Sequence, residues 1–284
     1  MRKEKKTWFI TGASKGLGLE IVKAALKKGD NVAATIRNPS DSISDQLGNP
    51  STLLEVQMDV TVEAEVKAGV EKAVVRFGGL DIIVNNAGFG IVTGIEEASD
   101  AEARAQYDTN VFGVLNVIRA VLPILRKQRS GHIINTSSLF GFDAVPAWGL
   151  YGSTKFAVEG ISQGLAKEVA PFGIKVTAIE PGLFTTGFMG KDSFKLCKNP
   201  IDDYNDTSVG RQRLAAASLH GTQQGDPAKL AKVVVDELVG VDSPPLHLPI
   251  GPDSVAMYES NAKRLASEVA TWRNVSMSTD HDNK

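Results

Sequence analysis

The stretch Thr7-Trp8-Phe9-Ile10-Thr11-Gly12-Ala13-Ser14-Lys15-Gly16-Leu17-Gly18 carries a short apolar run into a glycine-rich turn. Leu19, Val22 and Leu26 follow at helical spacing, so the turn joins a strand to a helix. Glycines let the backbone approach a pyrophosphate closely, and a helix N-terminus stabilises its negative charge. The spacing differs from the general Gly-x-Gly-x-x-Gly fingerprint, so a simple tight connection is the alternative. The turn predicts a dinucleotide-binding loop made by Gly12, Ser14, Lys15, Gly16, Leu17 and Gly18.

Downstream of this turn, short apolar runs alternate with segments of helical periodicity. Because the runs lack strict polar alternation, they predict strands buried on both faces of a parallel sheet. Right-handed crossovers make such a sheet doubly wound. The predicted fold class is therefore α/β, in a single domain over residues 1–284 with an insertion at 183–225 and a disordered tail at 276–284. The predicted strands are Thr7–Ile10, Asn31–Ile36, Leu53–Met58, Asp81–Val84, Gly131–Ser138, Ile174–Ile179 and Leu246–Ile250; the later helices are Val62–Arg76, Ala101–Lys127 (bent or interrupted, given Pro123), Tyr151–Ala170, Asp226–Leu238 and Ser254–Trp272.

The composition excludes several classes of function. A formal net charge of -2 provides no global field that would attract nucleic acid or an anionic membrane. The apolar stretch after the basic start Met1–Lys6 is too short for a signal peptide or a membrane span. Cys197 is the single cysteine, which excludes an internal disulfide and predicts a cytoplasmic location. The four histidines are scattered without ligand spacing, so no metal site is predicted.

Three side chains downstream of the turn suit chemistry at a carbonyl group. Tyr151 and Lys155 are four residues apart, so they share one face of a helix. A lysine cation beside a phenol is expected to lower the tyrosine pKa from its usual value of about 10. Ser138 ends an apolar strand, at the sheet edge where open α/β folds bind ligands. A tyrosine acid and a serine donor would then face the same substrate oxygen.

The end of the second strand predicts which dinucleotide binds. An acid about 20 residues after the glycine turn would bind a ribose 2′-hydroxyl, whereas an arginine accommodates a 2′-phosphate. The sequence there is Thr35-Ile36-Arg37-Asn38, with no acid, and Lys15 adds a second cation from the turn. These residues predict NADP; the alternative is that both cations are solvated surface charges.

Polar residues at other strand ends have two readings each. Asp59 and Val60 follow the third strand, where they could contact adenine or start the next helix. Asn85-Asn86-Ala87-Gly88 follows the fourth strand, and its amides could contact ligand or tie neighbouring loops together. Asn110 lies in an apolar helical stretch, where it is either a satisfied core amide or the holder of a water near Lys155.

Together these residues resemble the short-chain dehydrogenase/reductase family over roughly Lys6 to Gly190. The resemblance rests on the cofactor turn, Asp59, Asn86-Ala87-Gly88, the four catalytic positions Asn110, Ser138, Tyr151 and Lys155, and Pro181-Gly182 with Thr186. It implies a Rossmann-type fold and hydride transfer between NADPH and a carbonyl or alcohol carbon. It further implies that Tyr151 exchanges the proton, that Ser138 holds the oxygen, and that Asn110 keeps a water that connects Lys155 to solvent. Lys155 would lower the tyrosine pKa and bond the nicotinamide ribose.

Family members commonly form homodimers or homotetramers through their two long helices. Here the corresponding segments are Ala101–Lys127 and Tyr151–Ala170, and Ala157 and Leu165 are the expected exposed contact residues. The alternative is that both helices only cover the sheet.

The loops at the predicted strand ends indicate a hydrophobic carbonyl or alcohol substrate. No lysine or arginine lies between Ser138 and Tyr151, and Lys191 is the first cation after Pro181, so an anionic substrate has no obvious partner. Two other functions remain open: a non-catalytic dinucleotide-sensing or scaffold protein, and a sugar-nucleotide epimerase or dehydratase on a related fold. The apolar residues expected around the substrate are Phe89, Leu139, Phe140, Val145, Trp148, Leu183, Phe184, Phe188 and Met189.

Overall fold

The computed structural model describes residues 5–186, 194–218 and 222–281. Within these ranges the strands are β1 Thr7–Ile10, β2 Asn31–Ile36, β3 Leu53–Gln57, β4 Ile82–Asn85, β5 Gly90–Val92, β6 Gly131–Thr136, β7 Ile174–Pro181, β8 Phe194–Leu196 and β9 His247–Ile250. The helices are α1 Gly16–Lys27, α2 Glu63–Phe77, α3 Asp100–Tyr107, α4 Gly113–Gln128, α5 Gly149–Val169, α6 Ser208–Ser218, α7 Pro227–Lys232 and α8 Pro252–Met277.

Seven strands form a parallel sheet in the order β3-β2-β1-β4-β6-β7-β9. Successive side chains of a strand point to opposite faces, so Phe9 and Trp8 of β1 enter different cores. Phe9 packs with residues of α2, α4 and α5, whereas Trp8 packs with residues of α1 and α7. Helices on both faces confirm the predicted doubly wound, Rossmann-type α/β fold.

The strand order places the ligand site. β1 pairs with β2 on one side and with β4 on the other, so the chain reverses its direction of winding at β1. Open α/β sheets bind ligands at such a reversal, beyond the carboxyl ends of the strands. The residues that follow β1, β2, β4, β6 and β7 are the ones predicted to bind cofactor and substrate.

The long helix predicted at Ala101–Lys127 is divided by a wide turn. α3 begins with a capping box, in which Ser99 and Glu102 bond each other's backbone amides. A π-helical turn at Asp108–Phe112 separates α3 from α4, and Asn110 lies inside it. The predicted interruption therefore exists, but it lies upstream of Pro123, which α4 accommodates. By length and composition the run Asp100–Gln128 could cross a membrane, yet half of its most apolar window is buried in the fold.

Two expectations about helices need correction. Leu165, predicted as an exposed contact between subunits, is 6% exposed and packs in the core beneath α5. The exposed aromatics of this region are Phe112 and Phe156. α8 extends to Met277, two residues into the segment predicted as a tail, and residues 282–284 lie outside the described ranges.

The described part of the 183–225 insertion contains regular structure that the sequence did not reveal. β8 pairs in parallel with β5, and α6 follows. Glu97 fixes this segment, because its carboxylate accepts from the Ile201 amide at 2.9 Å and pairs with Arg213. Cys197 is buried beside the Glu97–Arg213 pair. Residues 187–193 and 219–221 of the insertion lie outside the described ranges.

Candidate active site

The glycine turn after β1 forms a close-packed cradle. Gly12 and Gly16 have φ angles of +62° and +59°, which glycine adopts without strain. Gly18 lies under the turn, where a Cβ atom would be 2.6 Å from the Asn86 amide nitrogen and closer still to the Gly12 carbonyl oxygen. The turn therefore requires glycine at these positions and leaves its backbone open to a ligand.

The asparagines after β4 hold this cradle in place. The Asn86 side-chain amide donates to the carbonyl oxygens of Thr11 and Gly12, both at 3.0 Å. The Thr11 hydroxyl accepts from the backbone amides of Asn86 and Ala87. Asn85 is buried and donates to Asn135 of β6 at 2.8 Å. The side chains of Asn85 and Asn86 therefore tie neighbouring segments together, which is one of the two roles predicted for them. Asn86 also borders the cavity described next.

One cavity of about 570 Å³ runs along the carboxyl edge of the sheet. Gly18 and Asn110 are predicted site residues that do not line it, because Gly18 lies beneath the turn and Asn110 behind Phe89. The other predicted site residues do line it: Gly12, Ser14, Lys15, Gly16, Leu17, Arg37, Asp59, Val60, Asn86, Ala87, Gly88, Ser138, Tyr151, Lys155, Pro181, Gly182 and Thr186.

Ser138, Tyr151 and Lys155 meet in this cavity. Tyr151 is 6% exposed and its hydroxyl is hydrogen-bonded with Ser138. Lys155 donates from Nζ to the Thr136 carbonyl oxygen at 2.8 Å, and the same ammonium lies 5.6 Å from the centre of the Tyr151 ring. The residues predicted to carry the chemistry are therefore adjacent, on α5 and in the turn after β6, which ends at Thr136 rather than at Ser138 as predicted.

The predicted lowering of the tyrosine pKa is not what this structure gives. Burial raises the pKa of Tyr151 to about 12, although its bond with Ser138 acts in the opposite direction. Burial also lowers the pKa of Lys155 to about 8, against the attraction of Glu159. The predicted lowering depended on the lysine charge alone, whereas desolvation is the larger effect here. Tyr151 is accordingly a neutral phenol at pH 7.

Asn110 is a fully bonded buried amide. Its oxygen accepts from the Phe89 backbone amide at 3.0 Å. Its nitrogen donates to the Phe89 carbonyl oxygen and to the Thr154 hydroxyl. The π-helical turn around Asn110 aims the side chain at the strand following Gly88 and at α5, so it fixes the loop that borders Lys155.

Behind Lys155 lies an acidic cluster that the sequence did not predict. Glu159, Glu180 and His247 come from α5, β7 and β9, and His247 Nδ1 is 3.0 Å from a carboxylate oxygen of each glutamate. Burial and the neighbouring Glu159 raise the pKa of Glu180 to about 9, and burial raises that of Glu159. The pair therefore retains a proton at pH 7. The scattered spacing of the histidines gave no indication of this cluster. Its three side chains could also hold a metal ion, contrary to the prediction of no metal site.

Two basic side chains lie at the end of the cavity beside the glycine turn. Lys15 and Arg37, the residues predicted to contact a 2′-phosphate, are both exposed at the cavity wall there. Asp41 lines the same wall and accepts from the Asn38 amide at 3.4 Å, so a carboxylate is present that the strand-end pattern did not reveal. Asp59 accepts from the Thr61 amide and hydroxyl, which fixes the turn before α2.

The other end of the cavity is largely aromatic. Phe140 stacks on Trp148 with ring centres 5.0 Å apart, and both rings meet Tyr151 edge-on. Leu139, Phe140, Trp148, Phe89, Leu183 and Phe184 line the cavity as predicted. Val145 packs behind this cluster, and Phe188 and Met189 lie outside the described residues.

A cation lies in this apolar region after all. Lys195 of β8 lines the cavity, with its ammonium 4.8 Å from the centre of the Phe89 ring. The expectation that no cation would be available to an anionic substrate is therefore wrong. No local pattern marked Lys195, because the pairing of β8 with β5 brings it to the site from a distant part of the chain.

Comparison with known proteins agrees with this geometry. A family model described as short chain dehydrogenase matches residues 6–195. "Oxidoreductase BOA17" of Botryotinia fuckeliana is 37% identical over 276 residues, which cover 96% of this chain and 99% of that relative. A 3-ketodihydrosphingosine reductase of Bacteroides thetaiotaomicron is 37% identical over 244 residues, or 86% of this chain and 87% of the relative.

Solved structures give the same assignment. A short-chain dehydrogenase from Streptomyces avermitilis has a TM-score of 0.90 and 34% identity, with 99% of this chain and 100% of that one covered. ElxO with NADP bound has a TM-score of 0.71 and 28% identity, with 89% and 99% covered. The family model and these relatives identify the chain as an oxidoreductase. The chain belongs to the short chain dehydrogenase family.

Proposed function

We propose that this chain is an NADP-dependent carbonyl reductase acting on a hydrophobic ketone or aldehyde, or on the secondary alcohol in reverse. The observation that carries the proposal is a continuous cavity that joins Lys15 and Arg37 at one end to Tyr151 and Ser138, within an aromatic cluster, at the other. The bound NADP of the related ElxO and the ketone named for the Bacteroides relative support it.

The residues present fit a dinucleotide. The cradle at Gly12 and Gly16 leaves backbone open beside the N-terminus of α1, which favours a pyrophosphate. Lys15 and Arg37 would hold a 2′-phosphate, and Pro181, Gly182 and Thr186 would border the nicotinamide end. When bound, the nicotinamide supplies or accepts the hydride.

The chain's own side chains handle the proton and the oxygen. Tyr151, a neutral phenol in a buried setting, donates its proton to the substrate oxygen during reduction. The Ser138 hydroxyl, which is hydrogen-bonded with Tyr151, would donate to the same oxygen and keep it near the phenol. The Lys155 ammonium stabilises the phenolate that remains, and the Thr136 carbonyl oxygen and Asn110 network hold this region in position.

A kinetic panel with NADPH tests the substrate class. Aryl and bulky alkyl ketones are compared with keto acids and sugar phosphates of similar carbonyl reactivity. We expect higher kcat/KM for the neutral hydrophobic ketones, because aromatic side chains dominate the substrate end. A higher value for the anionic compounds that falls selectively in Lys195→Met would contradict this class and assign Lys195 as their partner. The absence of NADPH turnover with every carbonyl compound would instead favour the sensing or scaffold function.

The charges at the adenosine end are expected to set the cofactor preference. Arg37→Ala should weaken NADPH by about tenfold to a hundredfold, since a charge-assisted hydrogen bond contributes roughly 1.5–3 kcal/mol. Asp41→Asn should strengthen NADPH binding, because a carboxylate repels a 2′-phosphate. Arg126→Ala, outside the cavity, is the matched control. Equal wild-type turnover of NADH and NADPH at subsaturating concentrations would show that the enzyme has no preference for NADP and would contradict this proposal.

The pH dependence should follow Lys155. Its pKa is about 8 in the free protein, so the ammonium is present below that pH and lost above it. Tyr151 stays a neutral phenol throughout, because its pKa is about 12. We expect kcat/KM for NADPH in the reductive direction to decline above pH 8, since this parameter reports groups of the free enzyme. A flat profile up to pH 10, with the fold intact by circular dichroism, would rule this dependence out.

Two broader expectations belong with this proposal. We place the enzyme in the cytoplasm, in keeping with its single buried cysteine. We also expect a homodimer or homotetramer, in which Phe112 and Phe156 replace Leu165 as the exposed apolar residues on the long helices. Mass measurement by light scattering of wild type and Phe156→Ser checks that interface.

A further inference from the structure

The first half of the C-terminal helix α8 packs against the rest of the protein, which we call the body, and its second half extends away from it. Six residues of its first half contact the body. Asp253 accepts from the Leu183 amide at 2.7 Å, and the Tyr258 ring meets Phe142 edge-on with ring centres 4.7 Å apart. The other four are Ser254, which donates to the Glu180 carbonyl oxygen, Met257, which packs beside the Phe140 cluster, Asn261, which donates to Phe142, and Arg264, which lies 3.7 Å from Asp143. Their spacing of three, four and three residues defines one face of the helix. Every residue from 262 to 281 is exposed.

A second face of α8 carries an apolar stripe with no contact to the body along its outer half. We call it the α8 seam; its residues are Val255, Tyr258, Ala262, Leu265, Val269 and Trp272. They alternate three and four residues apart, the heptad spacing of helices that pair. In the outer half, Leu265, Val269 and Trp272 are 47%, 63% and 61% exposed. Isolated helices shorter than about 12–15 residues are marginal in water, so this half needs a packing partner.

The position of the seam leaves room for another helix. Its first four residues each follow a body-contacting residue by one position, which turns the seam about 100° away from the body face. A helix laid along the seam therefore passes beside the body. In a two-fold arrangement of parallel helices, the two bodies would lie on opposite sides of the pair.

The flanking charges favour a second copy of this chain. With Val255 as the first position of a heptad and Tyr258 as the fourth, Glu268 occupies the seventh position of the second heptad. Arg273 occupies the fifth position of the third heptad. In a parallel pair these positions face each other across the interface, so Glu268 of each copy meets Arg273 of the other. A membrane surface fits less well, because α8 mixes acidic and basic residues and lacks a basic face.

We propose that the α8 seam pairs two copies of this chain through a parallel two-stranded coiled coil. This interface is separate from the long helices α4 and α5 and does not depend on the proposed catalytic activity. Two heptads bury less surface than a standard interface, so the pairing should be concentration-dependent.

Sedimentation equilibrium of the full-length protein tests the pairing. Leu265→Glu and Trp272→Glu, which place charge in the seam, should weaken one association step by at least about tenfold. Ser267→Glu adds the same charge on the opposite face of α8 and should change it by no more than about twofold. Circular dichroism and thermal unfolding serve as a check that all variants are folded. If the two seam variants and the control associate as the wild type does, or if wild type has no association step, the proposal is wrong.

A charge exchange tests the orientation of the two helices. Glu268→Arg and Arg273→Glu should each weaken association by about threefold to fivefold, and the double variant should restore it. Leu265→Cys should form a disulfide between copies on oxidation, whereas Ser267→Cys should not. Because the native Cys197 is buried, it gives a low background. Failure of both the restoration and the Leu265→Cys cross-link would overturn the parallel arrangement.

Discussion

Tyr151→Phe is expected to lower kcat for ketone reduction by at least about a hundredfold, the lower range for acid–base catalysis. The substitution removes the phenolic oxygen and keeps the ring that packs edge-on against Phe140 and Trp148. The cavity should keep its shape, so NADPH affinity should change little. Steady-state kinetics with a hydrophobic ketone gives the first quantity, and titration of protein fluorescence with NADPH gives the second.

Tyr107→Phe is the matched control for this experiment. The Tyr107 hydroxyl bonds Ser153 at 2.9 Å on the outer side of α5, away from the cavity. Its loss should leave kcat within about twofold of wild type, as is usual for changes distant from a site. Near-normal turnover in Tyr151→Phe would remove the proposed acid. A loss of NADPH binding equal to the loss of kcat would assign Tyr151 a structural role instead.

Gly18→Ala is expected to have the second largest effect, on cofactor binding and stability together. The added Cβ would meet the Gly12 carbonyl oxygen and the Asn86 amide, and the first of these is backbone that cannot swing aside. Overpacking of this kind costs about 1–3 kcal/mol, and here it would displace the cradle itself. We expect a lower denaturant midpoint and NADPH binding weakened by about tenfold to a hundredfold.

Gly160→Ala separates this effect from a general effect of adding a methyl group. Gly160 lies in α5, where a Cβ would meet no atom within 4 Å. Alanine there should stabilise the fold by roughly 0.5–1 kcal/mol, because glycine is a poor helix former. Gly18→Ala with wild-type stability and NADPH affinity would show that the cradle tolerates a side chain and would contradict the packing described here.

The fold could be predicted because its strands are buried on both faces. Runs rich in apolar residues, such as 31–36 and 131–136, have few structural alternatives, and the turns between them are marked by glycine or polar residues. β5 and β8 have three residues each, too few for a pattern. The π-helical turn at Asp108–Phe112 was hidden because its sequence has ordinary helical periodicity.

The candidate site could be predicted where its residues lie within one short motif. Tyr151 and Lys155 share a helical face, and Gly12, Gly16 and Gly18 share one turn. The remainder depends on tertiary contacts. Lys195 and the Glu159–Glu180–His247 cluster are assembled from separate elements, so no spacing could indicate them. Desolvation at Tyr151 depends on burial, which a local pattern does not give.

The most direct test of the account follows a labelled hydride and its dependence on Tyr151. The wild type and Tyr151→Phe are incubated with a hydrophobic ketone and with NADPH that carries deuterium at the transferable position, and the alcohol product is analysed by mass spectrometry. We predict that the wild type places deuterium on the carbinol carbon and that Tyr151→Phe forms at least about a hundredfold less labelled alcohol in the same time. An unlabelled product from the wild type, or equal amounts of labelled alcohol from both proteins, would contradict the proposed reductase.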